Sequence, residues 1–288
     1  MIGNAQFLLN SVHRIQAYVD KVAPEEKGGP KLSKEFPTSG AFDFQKVSLR
    51  YGPQFPLALD SVSFSLPHAS KVGVVGRTGS GKSTLLVALF RLIQPCDGVM
   101  LMDSKPVNNV AVDDLRRQLS IIPQDPAMFE GNLRLNLDPF HEYTDQQVRS
   151  AIHQVGLSES RDMHSTVLVS GEDWSLGEKQ LVSRAMRVGS LLQPLVIFTS
   201  THSLCQVCLA RVLLKRPKFL CLDEATASLD QKTEELFQKV LETSFADSTI
   251  VCIAHRIDTL RWCRTRIEMR QGKLLSINAI DAQAAKDH

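Results

Sequence analysis

The chain has 288 residues, 43% hydrophobic and 22% charged, with a formal net charge of +2, the make-up of a globular protein with a real core. That near-neutral balance argues against a nucleic-acid-binding surface or a polybasic membrane patch. The chain has no apolar run of about 18 residues that could cross a bilayer. Residues 1–20 show no basic stretch followed by an apolar core, so no secretory leader is predicted. Leu8, Val12, Ile15 and Val19 recur at helical spacing and predict one amphipathic helix over residues 5–20. Residues 21–40, with Pro24, Gly28, Gly29, Pro30, Pro37 and Gly40 among charges, have the composition of a linker. The ordered domain is expected to start near Ala41. Phe42 and Phe44 alternate, then Val47, Leu49 and Tyr51 alternate one residue out of phase, which predicts a strand bulged near Gln45 and Lys46. Residues 57–66 predict further strand pairing.

The stretch Gly76-Arg77-Thr78-Gly79-Ser80-Gly81-Lys82-Ser83-Thr84 fills the pattern G-x-x-x-x-G-K-[ST]. An apolar run, Lys71–Val75, precedes it and a helix-like run from Ser83 to Ile93 follows. Glycines let backbone N–H groups converge on phosphate oxygens without Cβ clashes, and a helix N-terminus adds partial positive charge there. Lys82 can reach the β- and γ-phosphates, and the Ser83 hydroxyl can ligate Mg²⁺. An accidental Gly-rich turn is the plain alternative; the flanking strand and helix weigh against it.

Downstream, Gln124 follows the strand-like Leu119–Pro123, and residues 145–155 look helical. Phe219–Leu222 and Thr249–Ala254 are short continuous apolar runs, as buried parallel strands are. Strands alternating with helices around a phosphate loop indicate an α/β fold. The run at 219 ends in Asp223 and Glu224; Asp223 is placed to hold Mg²⁺, and Glu224 to orient or deprotonate an attacking water. Gln124 could see metal and water, and His255, ending the run at 249–254, could touch a γ-phosphate. Alone, such a Gln is usually a surface residue and such a His structural; order and spacing give them weight. Cys221 and Cys252 in apolar runs read as buried thiols in a reducing compartment, not disulfides. Cys205-Gln-Val-Cys208 has C-x-x-C spacing, but no second pair or His cluster accompanies it, so no zinc or redox site is assigned.

In this order the chain resembles the nucleotide-binding domain of an ATP-binding cassette (ABC) transporter: Tyr51, the loop at 76–84, Gln124, a signature-like Trp174-Ser-Leu-Gly-Glu178, Asp223-Glu224, Ser228-Leu-Asp230 and His255. Val47–Tyr51, Ser120–Pro126, Asn136–Phe140 and Asp223–Asp230 are similar to the second such domain of the C subfamily, the multidrug-resistance-associated type. The resemblance implies a P-loop NTPase core with an antiparallel β subdomain and a helical signature subdomain. It implies ATP and Mg²⁺ as ligands and a second nucleotide-binding domain packed head to tail. Transmembrane domains would be attached on the cytosolic face of a membrane, with residues 1–40 the tail of a membrane domain and 41–288 the nucleotide-binding domain. Tyr51 would stack on adenine; Ser175 and Gly177 would cap the partner's γ-phosphate; Asp230 would sit at the domain contact. Ser175 and Glu178 also fit S-x-x-E, a capping box. Hydrolysis-powered export is the leading reading. A binding module with impaired hydrolysis is the alternative, and a soluble cassette ATPase of translation or repair fits the helix at 5–20 less well.

The sequence departs from the pattern in two ways. Trp174, Leu176 and Glu178 replace a leucine, a small residue and a glutamine usual in the signature. Ser175 and Asp223 stand 48 residues apart, about twice the family's spacing. Excising the 25 residues Val182–Gln206 restores a family-like run, Gln180-Leu181 followed by Val207-Cys208-Leu209-Ala210-Arg211. Val182–Gln206 is therefore read as an insertion in the signature helix, and its ends suit the boundaries of a retained intron. Its apolar run at 195–198 must find cover or stay exposed.

Overall fold

The computed structural model describes residues 2–21, 25, 28–33, 35–129, 131–157, 166–168, 195–197, 201–227, 229–254 and 257–280. Helix α1 (Ile2–Lys21) leads in. No helix among the described residues is long and apolar enough to cross a membrane.

The body starts with β1 (Phe42–Leu49) and β2 (Leu59–Leu66). These join β4 (Asp97–Met102) and β5 (Lys105–Pro106) in a four-stranded antiparallel sheet ordered β2-β1-β4-β5. The expected bulge is present: the β1–β4 register shifts between Gln45 and Ser48, and Lys46 turns left-handed with φ 52°. The stretch at 57–66 is a single strand from Leu59, paired with β1.

The second sheet has six strands, β13-β12-β3-β11-β10-β6. These are β3 (Lys71–Val75), β6 (Leu119–Ile122), β10 (Phe219–Asp223), β11 (Thr249–Ile253), β12 (Thr265–Arg270) and β13 (Lys273–Ala279). All but the antiparallel edge strand β13 run parallel. Its central strands are buried on both faces, which is why they read as unbroken apolar runs. Phe219, Cys221, Val251 and Ile253 face one core, shared with α2 (Lys82–Leu89) and the aromatic residues of β1. Leu220, Leu222, Ile250 and Cys252 face the other, shared with α5 (Asp145–Gln154), α6 (Thr201–Lys215) and α7 (Gln231–Ser244). Leu85, Leu86, Ala88 and Leu89 of α2 are buried. Each leucine contributes about 1.5–3 kcal/mol, so α2 is held by packing and not by propensity.

Short helices α3 (Val112–Gln118) and α4 (Leu133–Leu137) flank the sheet. Helix α5 opens with a capping box, Thr144 and Gln147 bonding each other's backbone. The capping box read at Ser175 and Glu178 lies outside the described residues. A small third sheet joins β7 (Gly131–Asn132), β8 (Thr166–Leu168) and β9 (Leu195–Ile197), with β8 and β9 parallel. Part of the apolar run at 195–198 thus has a backbone partner. Thr201–Gln206, the end of the proposed insertion, is the first part of α6, with Cys205 buried and Gln206 Nε2 donating to Val155 O at 3.0 Å.

The body begins earlier than Ala41. Phe36 is buried against the β1–β4 sheet. Asp103 accepts from Thr38 N at 2.7 Å, Ser39 N at 2.9 Å and Ala41 N at 3.0 Å. Pro30 O accepts from Ala111 N at 3.2 Å, and Arg116 grips Glu25 with both Nη atoms, at 2.6 and 2.9 Å. Described residues of the stretch that composition marks as a linker, among them Glu25, Pro30, Phe36 and Thr38, are thus strapped to the domain.

Candidate nucleotide site

Four neighbouring parallel strands end on one edge. The register pairs Val74 of β3 with Ile253 of β11, Ile253 with Asp223 of β10, and Leu222 with Ile122 of β6. Ligands of open α/β sheets bind outside this carboxyl edge.

β3 delivers the loop from Gly76 to Gly81 there, and α2 leaves it. A Cβ at Gly76 would meet Ser80 Oγ and come within 2.5 Å of Met269 O, so only glycine allows the approach. Gly79 turns left-handed with φ 77°, and the space where its Cβ would stand is open. Gly81 is the N-cap of α2 and supplies no capping side chain, so the first N–H groups of α2 stay available to an anion. Arg77, Thr78 and Ser83 are exposed at the crest. Lys82 is buried, with Nζ donating to Gly76 O at 2.8 Å and Arg77 O at 3.3 Å, so the ammonium sits inside the loop. Ser80 Oγ is buried with no hydrogen-bond partner among the described residues. The β12–β13 turn braces the loop through Gly272 N to Ser80 O at 2.9 Å. Tyr51 is exposed beside it, its hydroxyl 3.1 Å from Thr84 Oγ1.

Asp223 and Glu224 are half-buried at the end of β10. Glu224 has a left-handed backbone, φ 50°, held by its own N–H to Ile253 O and by Ala227 N to its carbonyl, both 3.0 Å. An apolar hollow of about 80 Å³, walled by Leu222, Ala225, Ile253 and Trp262, flanks Glu224. Gln124 is exposed two residues beyond Ile122. Ala254 continues β11 with a bond to Val74 O at 3.2 Å, and His255 follows it in the chain. His255, Ser175 and Gly177 lie outside the described residues.

The structure thus brings the loop 76–84, Tyr51, Gln124, Asp223 and Glu224 to one edge. The glycine clearances, the enclosed ammonium and the unpartnered Ser80 hydroxyl suit a polyphosphate. Ser83, Gln124 and Asp223 present hard oxygen donors, the chemistry Mg²⁺ takes. Asp230 has a further position: it is the N-cap of α7, accepting from Thr233 N at 3.4 Å.

The C-x-x-C pair is built for packing. Burial pushes the Cys205 thiol up to about 12, and Cys205 Sγ donates to Ala225 O at 2.8 Å. Burial also raises the Cys208 thiol. Sequence reasoning missed a polar knot joining α6 to the segment after Gln124. Arg211 and Asn136 form it, 75 residues apart; each stands in a run that resembles the family, but no local pattern pairs them.

Comparison with known proteins agrees with this geometry. Residues 59–193 match the family described as ABC transporter. The chain is 40% identical over 266 residues to ABC transporter C family member 9 of Arabidopsis thaliana, an alignment covering 90% of this chain and 16% of that protein. It is 40% identical over 271 residues to ABC transporter C family member 13 of Oryza sativa subsp. indica, covering 92% of this chain and again 16% of the relative. The chain therefore spans about a sixth of the length of these relatives. The structure of a bacterial Atm1-family ABC exporter with ATP bound superposes with a TM-score of 0.74 at 24% identity. That match covers 99% of this chain and 46% of the exporter, and it supports the same fold.

Proposed function

Because this chain carries a nucleotide-binding domain of the ABC transporter family, we propose that it binds ATP with Mg²⁺ and hydrolyses it to drive export. The observation that carries the reading is the meeting, on one sheet edge, of the glycine loop around Lys82 and the pair Asp223-Glu224.

The residues divide the work. Backbone N–H groups of the loop and the first turn of α2 receive the β- and γ-phosphates, and Lys82 exchanges its loop carbonyls for phosphate oxygens. Tyr51 offers its face to the adenine; comparable base–aromatic stacks contribute about 1–3 kcal/mol. Ser83, Asp223 and Gln124 would hold Mg²⁺, which would supply positive charge against the phosphates. Glu224 orients the attacking water and accepts its proton. His255 touches the γ-phosphate. Ser175 and Gly177 serve the ATP on a second nucleotide-binding domain, packed head to tail, with Asp230 at the contact. Transmembrane domains, attached through α1 on the cytosolic face, would take up the motion.

Calorimetry on the whole chain tests this. MgATP is expected to bind, and Lys82→Ala to weaken it at least tenfold, a loss of about 1.4 kcal/mol. A folded wild-type chain that takes up no MgATP would overturn the proposal.

A further inference from the structure

Gln124 stands in a stretch, 123–129, that belongs to no helix or strand. Its N-terminal side is fixed where Ile122 pairs in the sheet. What fixes the other side is a knot of side chains. Asn136 is 1% exposed, and its amide is fully engaged. Oδ1 accepts from Phe129 N at 2.9 Å, while Nδ2 donates to Phe129 O at 2.9 Å and Asn132 O at 3.1 Å. Arg211 of α6 binds the knot from the other side. Its Nε donates to Asn136 O at 2.6 Å, Nη2 to Asn136 Oδ1 at 3.3 Å and Nη1 to Ala127 O at 3.3 Å, with Nη2 also 3.5 Å from Met128 Sδ. One turn further along α6, Lys215 Nζ donates to Leu119 O at 2.6 Å, at the start of β6. Helix α6 thus grips the strand before Gln124 and the segment after it.

We infer that Arg211 is a positioning residue for Gln124, acting through Ala127 and Asn136, and so sets how well the site holds Mg²⁺. The inference rests on the nucleotide-binding reading above. Ala127 is three residues from Gln124, a reach of at most about 10 Å of chain, so a fixed Ala127 confines the amide. Without Arg211 the next hydrogen-bonded tether is Phe129, two residues further on, with only the packing of Met128 between. Arginine suits this place because a planar fork reaches several acceptors together; a lysine ammonium is a single point.

Full-length chains are compared for ATP affinity in EDTA and in excess Mg²⁺. Arg211→Ala is expected to leave the affinity in EDTA unchanged. It is expected to cut the gain given by Mg²⁺ about tenfold, the low end for loss of a group that orients a metal ligand. Arg211→Lys keeps the charge, protects folding and should show the same selective loss. In a Gln124→Ala background, Arg211→Lys should subtract nothing more, since the two act as one unit. A loss equal with and without Mg²⁺, or one that persists in full in Gln124→Ala, overturns the positioning role and leaves nucleotide binding intact. A wild-type chain blind to MgATP overturns both.

Discussion

Glu224 holds a left-handed backbone that a side chain with a Cβ adopts only at a cost of order 1–3 kcal/mol. Two inter-residue hydrogen bonds keep it there, just past a strand whose first four residues are buried. Such strain belongs where geometry serves chemistry. Glu224→Gln keeps the shape and strain but accepts no proton, so MgATP binding should persist while phosphate release stops. Glu224→Asn should also stop turnover, yet asparagine tolerates this conformation better. Scanning calorimetry should place its unfolding about 2–4 °C above that of Glu224→Gln for each kcal/mol relieved. Equal midpoints would mean that the turn costs nothing, and hydrolysis surviving in Glu224→Gln would remove it as the base.

Between elements, described residues of the stretch 25–41 are tied to the body. Asp103 is their main anchor. Burial alone would push this carboxyl up, but hydrogen bonds from Ser39, Thr38 and Ala41 outweigh that and hold it below its ordinary value. A carboxyl lowered on folding contributes its stability in full above its unfolded pKa near 3.8 and loses it as pH falls through the lower folded value. Protection of the amides of residues 38–41 against exchange, relative to their intrinsic rate at each pH, should therefore hold above about pH 4 and fall below. Asp103→Ala should remove it throughout, and protection kept in that variant would show that Phe36 packing alone holds the strap. Local pattern reveals some elements and hides others. The phosphate loop is legible because its glycines and lysine are contiguous, and Asp223-Glu224 because they end an apolar run. The strap was misread because proline and glycine outweigh one buried phenylalanine in any composition count. Arg211 and Asn136 stayed hidden because their meaning exists only once the chain brings them together.

At the scale of the molecule, two cores share one sheet, and alternate residues of β10 and β11 serve each. Five of the six cysteines belong to those interiors. Burial raises the Cys221 and Cys263 thiols and pushes Cys252 up to about 12. Cys96 is different: it is exposed on the turn between α2 and β4, its Sγ donating to Ser48 O at 3.3 Å. Since the thiolate is the reactive form, maleimide at neutral pH should attach one dye per native chain, at Cys96, and reach all six sites only in denaturant. Mass spectrometry would read the ratio, and Cys96→Ser should bring native labelling to zero. Cys96 then offers a built-in handle for fluorescence, in the turn that follows the helix starting on the phosphate loop, with no cysteine-free background to engineer first.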